Sequence, residues 1–357
     1  MKRRFFAVPA VLLALSALCV SGCPNPWLNR TFKSELDAAA GAAPLPDLVW
    51  PGTETAPKTS LFFTVGDPAG WDAVLAAIQA SPEAFFTVTV TADLSLPPQA
   101  LTGSGYADKN IVLRGDIPTR TISLGSAGSL FTIGADLALE LQNITAQGRA
   151  NNTAPLITVN MDGELTVKAG GLITGNMAIA GVSSSNTGVY VGAGGSFTLD
   201  GGEISGNTNR TTQNASGGGV MVDGGTFTMT SGTIRDNHAV NTAGAYGANG
   251  GGVTLRSGGV FVMDGGLIED NTAECTGYSK GGGVSVAPGC SFTITGGIIT
   301  NNTVSSTTNA WETLVWGGGV FYYTGASYAN SGGTVTGNWK QIAAGAPTTN
   351  NVDTGST

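Results

Sequence analysis

Four copies of Gly-Gly-Gly-Val, at 217–220, 250–253, 281–284 and 317–320, constrain this chain more than any other feature. A reduced form, Thr187-Gly188-Val189, precedes them. About fifteen residues after most of these valines stands Ile or Val, and three residues later Asn. The pairs are Ile204/Asn207, Ile234/Asn237, Ile268/Asn271, Ile299/Asn302 and Val335/Asn338, with Ile173/Asn176 ahead of them. Between lies a strand centred on Phe197, Phe227, Phe261 or Phe292, with Tyr328 at the same offset in the last copy. Recurrence of this kind marks a solenoid, whose single repeat cannot bury its apolar side alone.

One copy shows how. The valines of Val220-Met221-Val222 share a face because strand side chains alternate. Asp223-Gly224-Gly225 turns the chain, Phe227 and Met229 form the next inward pair, Ser231-Gly232 turns again, and Ile234 points inward third. Three short strands thus make a triangular coil, and coils stack at about 4.8 Å with like residues in columns. The asparagines at one bend, Asn176, Asn207, Asn237, Asn271, Asn302 and Asn338, form a structural ladder of amides that donate and accept along the axis. Composition agrees. Glycine supplies 55 of 357 residues, about 15 per cent against an average near 7, without the period of three that collagen needs. Hydrophobic residues reach 41 per cent, too many for a disordered tail, while charged residues make up only 11 per cent.

The expected fold is all-β, a right-handed parallel β-helix of about eight to ten coils over 85–340, with an N-terminal capping helix within 61–84 and a tail over 341–357. Asp67-Pro68 starts the helix, Trp71, Val74, Leu75 and Ile78 form its apolar face, and Ser81-Pro82 stops it. The Gly-Gly-Gly-Val and Ile-x-x-Asn marks resemble the repeats of chlamydial polymorphic membrane proteins and of spirochaete surface lipoproteins, within the pectate-lyase-like superfamily. They depart from the chlamydial type in placing Ile where that family has Phe.

Residues 1–22 resemble a lipoprotein signal peptide: Lys2, Arg3 and Arg4, an apolar stretch from Phe5 to Val20, then Val20-Ser21-Gly22-Cys23. The resemblance implies lipidation of Cys23 and anchoring in the bacterial cell envelope, at the outer membrane, the cell surface or the periplasmic face. Residues 23–60, with Pro24, Pro26, Pro44, Pro46, Pro51 and Pro57, read as a semi-rigid tether. Loss of three basic residues with the signal leaves 13 Lys/Arg against 24 Asp/Glu and shifts the net charge from −8 to −11. Such a chain repels phosphate backbones, so no nucleic acid is expected as a partner. An exported chain can pair Cys275 with Cys290, although the two fall on different corners of a coil.

Candidate site residues are few. Glu203, Asp236, Glu269 and Asp270, with Arg235 among them, gather on adjacent coils and supply the only catalytic option, a polysaccharide lyase or glycoside hydrolase. Asp beside Gly or Asn is equally a turn former. His238 follows a ladder asparagine into a loop, and the cysteines and single histidine have no metal-ligand spacing, so no metal or cofactor is expected. Trp311, Trp316, Phe321 and Tyr323 form an aromatic contact surface for a glycan or protein ligand, while Tyr322 and Tyr328 plug the end of the coil. Segments 208–216, 238–249, 272–280 and 303–316 read as variable contact loops. The leading expectation is a tethered binding, adhesion or surface-structural module rather than an enzyme.

Overall fold

The computed structural model describes residues 60–134, 136–180, 187–243, 246–307, 315–343, 345 and 347–355. The signal peptide, the tether, Cys23 and Trp311 lie outside the described residues. Residues from Thr59 onward form one compact unit.

The unit is a parallel β-helix. Its longest sheet has ten strands, from Ser60–Val65 to Ser327–Asn330, and carries the phenylalanine column. Phe197, Phe227, Phe261 and Phe292 stack with ring centroids 4.7, 4.4 and 4.6 Å apart and planes within 8°. Tyr328 continues the column, tilted, at 5.8 Å. A nine-stranded sheet carries Ile173, Ile204, Ile234, Ile268, Ile299 and Val335 in register. A second nine-stranded sheet carries Val189, Val220, Val253, Val284 and Val320. All three columns face one continuous core.

The N-terminal end of that core is covered by the helix Pro68–Ala80. Asp67 caps it, its side chain accepting from Gly70 N at 2.8 Å. Trp71, Val74 and Ile78 are buried, Trp71 lying 6.0 Å from the Phe131 ring and donating to Gln99 Oε1 at 2.9 Å. At the other end Tyr322 stacks on Tyr328 at 5.1 Å against the core, the plug expected there.

Two findings depart from the sequence reading. The segments taken as loops contain strands: Thr208–Thr211, His238–Asn241, Thr272–Cys275 and Thr303–Ser306 join an eight-stranded fourth sheet. Ala215–Ser216, Ala248–Asn249, Ser279–Lys280 and Val315–Trp316 form a four-stranded fifth. Between these sheets lies a second core of Ala215, Ala239, Ala248, Ala273, Cys275, Val304 and Val315. Small side chains let the two sheets close on each other, and the same small side chains gave the segments no hydrophobic signal. The supposed tail also contains strands. Val352–Gly355 pairs in parallel with Val320–Tyr323, extending the valine sheet past 340.

The glycine triplet joins the fifth sheet to the valine sheet, and its members are not equivalent. Gly217 takes φ +65°, a left-handed conformation disfavoured for residues with a Cβ. Gly218 has an ordinary φ, but a Cβ there would stand 2.6 Å from His238 N and closer still to the Gly251 carbonyl oxygen. One glycine turns the chain and the next lets coils approach. Cys275 and Cys290 are both buried free thiols.

Candidate functional site

The expected carboxylate cluster assembles only in part. Arg235 is the register partner of Glu269 in the isoleucine sheet, as the stacking argument requires. Its ion pairs run elsewhere, to Glu203 at 2.9 Å and Asp236 at 2.7 Å, with side chains 32 to 50 per cent exposed. Pairs that open to water contribute little. Ser205 Oγ also donates to Glu203 Oε1 at 2.6 Å. Burial, then the Asp270 charge, pushes the Glu269 carboxyl up, and burial, then the Asp236 charge, does the same to Asp270. Two shifts in one direction do not by themselves assign an acid and a base.

The backbone explains why acids stand there. Gly175, Gly206, Asp236, Asp270, Asn301 and Gly337 each precede a ladder asparagine, all at φ between 52 and 69°. This slot is left-handed in all six of these coils, and Asp and Asn tolerate it best after Gly. His238 opens a strand of the fourth sheet between Thr208 and Thr272 instead of entering a loop. It is partly buried, and burial holds its imidazole below the ordinary range. Among the described residues no three His, Cys, Asp or Glu side chains are placed to hold a metal ion.

A different site emerges where the fifth sheet meets the outer face of the valine sheet. Ser216, Asn249, Lys280 and Trp316, each immediately before a glycine triplet, stand in register on successive coils. Facing them, Thr254, Ser285 and Phe321 form an outward column of the valine sheet. Between the two columns lies a cleft of about 710 Å³, completed by Arg256, Tyr278 and Tyr323 among others.

The Lys280 ammonium occupies an aromatic cage. Its Nζ lies 4.3 Å from the Tyr323 ring centroid, 5.1 Å from Trp316, 5.2 Å from Phe321 and 5.3 Å from Tyr278. The residue is 7 per cent exposed. Burial pushes the ammonium below its ordinary value, whereas ring faces favour the charged form by about 0.5–2 kcal/mol each. The other cation of the cleft, Arg256, is paired with Asp223 at 2.8 Å, and Tyr190 Oη donates to the same carboxylate. No carboxylate is among the described residues lining the cleft. Asn249 also lines the cleft, and its Oδ1 is buried with no hydrogen-bond partner among the described residues. Burial, then the Tyr278 charge, pushes the Tyr323 phenol up to about 12.

Of the expected aromatic surface, Trp316, Phe321 and Tyr323 are brought together, with one correction. Trp316 and Tyr323 are partly buried and line the cleft. Phe321, expected on the contact surface, is fully buried beneath Lys280, with Trp316 stacked at 5.8 Å and Tyr323 edge-on at 4.8 Å. Lys280 and Asn249 escaped sequence reasoning. The signal that finds them is their constant place one residue before each triplet.

A smaller cavity of about 250 Å³ lies at the corner before the phenylalanine sheet, lined by Asp108, Asp136, Asp162 and Glu164 with Asn110 and Ala138. Its aspartates take φ of 58 to 59°, and the same slot passes to Gly194 and Gly224 in later coils. It is turn chemistry of the kind seen at Asp236. Comparison with protein-family models, with curated proteins and with solved structures finds nothing that matches this chain.

Proposed function

We propose that this chain is a lipid-anchored binding module of the bacterial cell envelope, a member of the pectate-lyase-like β-helix superfamily that does not turn over its ligand. The proposed contact surface is the cleft beside Lys280 and Trp316, and the proposed ligand is a glycan. One observation carries the reading: a cleft of about 710 Å³ walled by aromatic rings, hydroxyls, an amide and a caged ammonium, with no carboxylate among its described lining residues. Aromatic faces stack on sugar rings, and hydroxyls and amides match sugar hydroxyls. The enzyme alternative rests on Glu203, Asp236, Glu269 and Asp270, of which Asp236 and Asp270 hold left-handed turn slots and Glu203 pairs with Arg235. Anchoring through Cys23 rests on the sequence from Lys2 to Cys23 alone.

A glycan array probed with the full-length chain, its Trp316→Ala variant and its Asp270→Ala variant tests this reading. The expected result is binding that falls at least about tenfold, or 1.4 kcal/mol, in Trp316→Ala and persists in Asp270→Ala. Depolymerisation of any polysaccharide, lost in Asp236→Ala or Asp270→Ala, overturns it. Labelled palmitate should enter the wild-type chain and not Cys23→Ser, and protease shaving of intact cells separates surface from periplasm.

A further inference from the structure

The inference drawn here rests on the glycan reading and adds the charge of the ligand. Lys280 is more than nine-tenths buried, yet its ammonium faces four aromatic rings, and among the described residues no acceptor bonds to Nζ. A buried charge is ordinarily paired. One strand away, Asn249 Oδ1 is buried without a donor. Both residues line one cleft, and the ring of Trp316 is the next member of the same column. A ligand that fits this wall brings an oxyanion to Lys280 and an apolar face to Trp316.

We infer that the cleft selects an anionic saccharide, whose carboxylate or sulfate pairs with Lys280 while its ring stacks on Trp316. Lys280 and Trp316 lie on paired strands, whose backbones run about 4.8 Å apart, a distance that a single pyranose ring spans. Arg256 does not compete for the anion, since it is held by Asp223. A peptide carboxylate fits less well, because a pyranose adds to the charge a flat face for Trp316.

One oligosaccharide stripped of charge in two steps supplies the test. Titration calorimetry on the full-length chain compares a chondroitin sulfate tetrasaccharide, its desulfated form and the desulfated, carboxyl-reduced neutral form. Both anionic forms are expected to bind at least tenfold tighter than the neutral one, and the larger loss on stripping identifies the oxyanion read. Lys280→Met should bring the anionic forms down to the neutral form's affinity, while Lys280→Arg retains the preference. Equal binding of all three, or a preference that survives in Lys280→Met, overturns the inference and leaves the glycan reading standing. Binding by none of the three overturns both, as does tighter binding of an acidic peptide. If Lys280→Met fails to fold, the wild-type chain decides. Its preference should fade as pH rises through the lowered Lys280 value, and the neutral form's binding should stay flat. The phenols facing that ammonium stay neutral there: Tyr323 up to about 12, and burial also raises Tyr278.

Discussion

Asn237 Nδ2 donates to Asn271 Oδ1 at 3.0 Å, and Asn271 passes the same bond to Asn302 at 2.9 Å. Each amide also donates to two backbone carbonyls, Ile234 O and Glu269 O in the case of Asn271. Its Oδ1 accepts from the backbone N of Asn237 at 3.1 Å. Every ladder asparagine is fully buried, so the amides hold one bend of each coil to the next in a place that water does not reach.

Asn271→Ala therefore strands buried groups on three sides. At about 1–3 kcal/mol for each buried group left unpaired, the loss should exceed 3 kcal/mol. Thr228→Ala, in an outward slot of the phenylalanine sheet, should stay within about 1 kcal/mol. Urea unfolding of the two variants checks the difference, and equal losses would mean that the ladder is decorative.

Glycine replacement separates turning from close approach. In Gly218→Ala the new Cβ meets His238 N at 2.6 Å, a backbone atom that cannot swing aside. In Gly258→Ala it meets nothing within 4 Å, so only the left-handed φ of +85° is penalised, by about 1–2 kcal/mol. Thermal melts should show Gly218→Ala losing clearly more than Gly258→Ala, or failing to fold.

Asp236 holds a slot that Gly206 and Gly337 fill in other coils. Asp236→Gly should thus change stability by less than about 1 kcal/mol and leave ligand binding intact. Asp236→Val should cost about 1–2 kcal/mol, since a β-branched residue resists φ > 0. A loss of ligand binding in Asp236→Gly at unchanged stability would assign Asp236 a chemical role.

Much of this architecture is legible in the residues. The valine, phenylalanine, isoleucine and asparagine columns repeat one residue type at a near-fixed spacing, and that spacing translates directly into register. The fourth and fifth sheets are not legible in the same way. Ala215, Ala239, Ala248 and Ala273 pack a core too shallow for large side chains, so their segments read as loops. The cleft follows from that gap. Lys280 looks like a surface charge beside glycines until Ser279–Lys280 is known to be a strand whose neighbour is Val315–Trp316. The pairing of Arg235 with Glu203 instead of its register partner Glu269 depends on side-chain rotamers, which spacing does not fix.

Tyr323 supplies a pH dependence with a definite sign. Its phenol titrates near 10 when unfolded and at about 12 in the solenoid. Between these values the unfolded chain has released a proton that the folded chain retains, so stability falls as pH rises, by at most about 1.4 kcal/mol per pH unit. Below pH 10 the group makes no difference. In Tyr323→Phe that part of the alkaline slope should vanish, which denaturant melts from pH 9 to 12 will measure. An unchanged slope would mean that Tyr323 is open to water.

Hydrogen exchange of the full-length chain, with and without the desulfated chondroitin tetrasaccharide, tests most directly where the ligand sits. Exchange should slow across Ser279–Lys280, Val315–Trp316 and Val320–Tyr323, with no change across Glu203–Ser205, Thr233–Arg235 and Leu267–Glu269. Protection on the isoleucine-sheet strands, with the cleft strands unaltered, would contradict it and return the carboxylate cluster to the centre of the function.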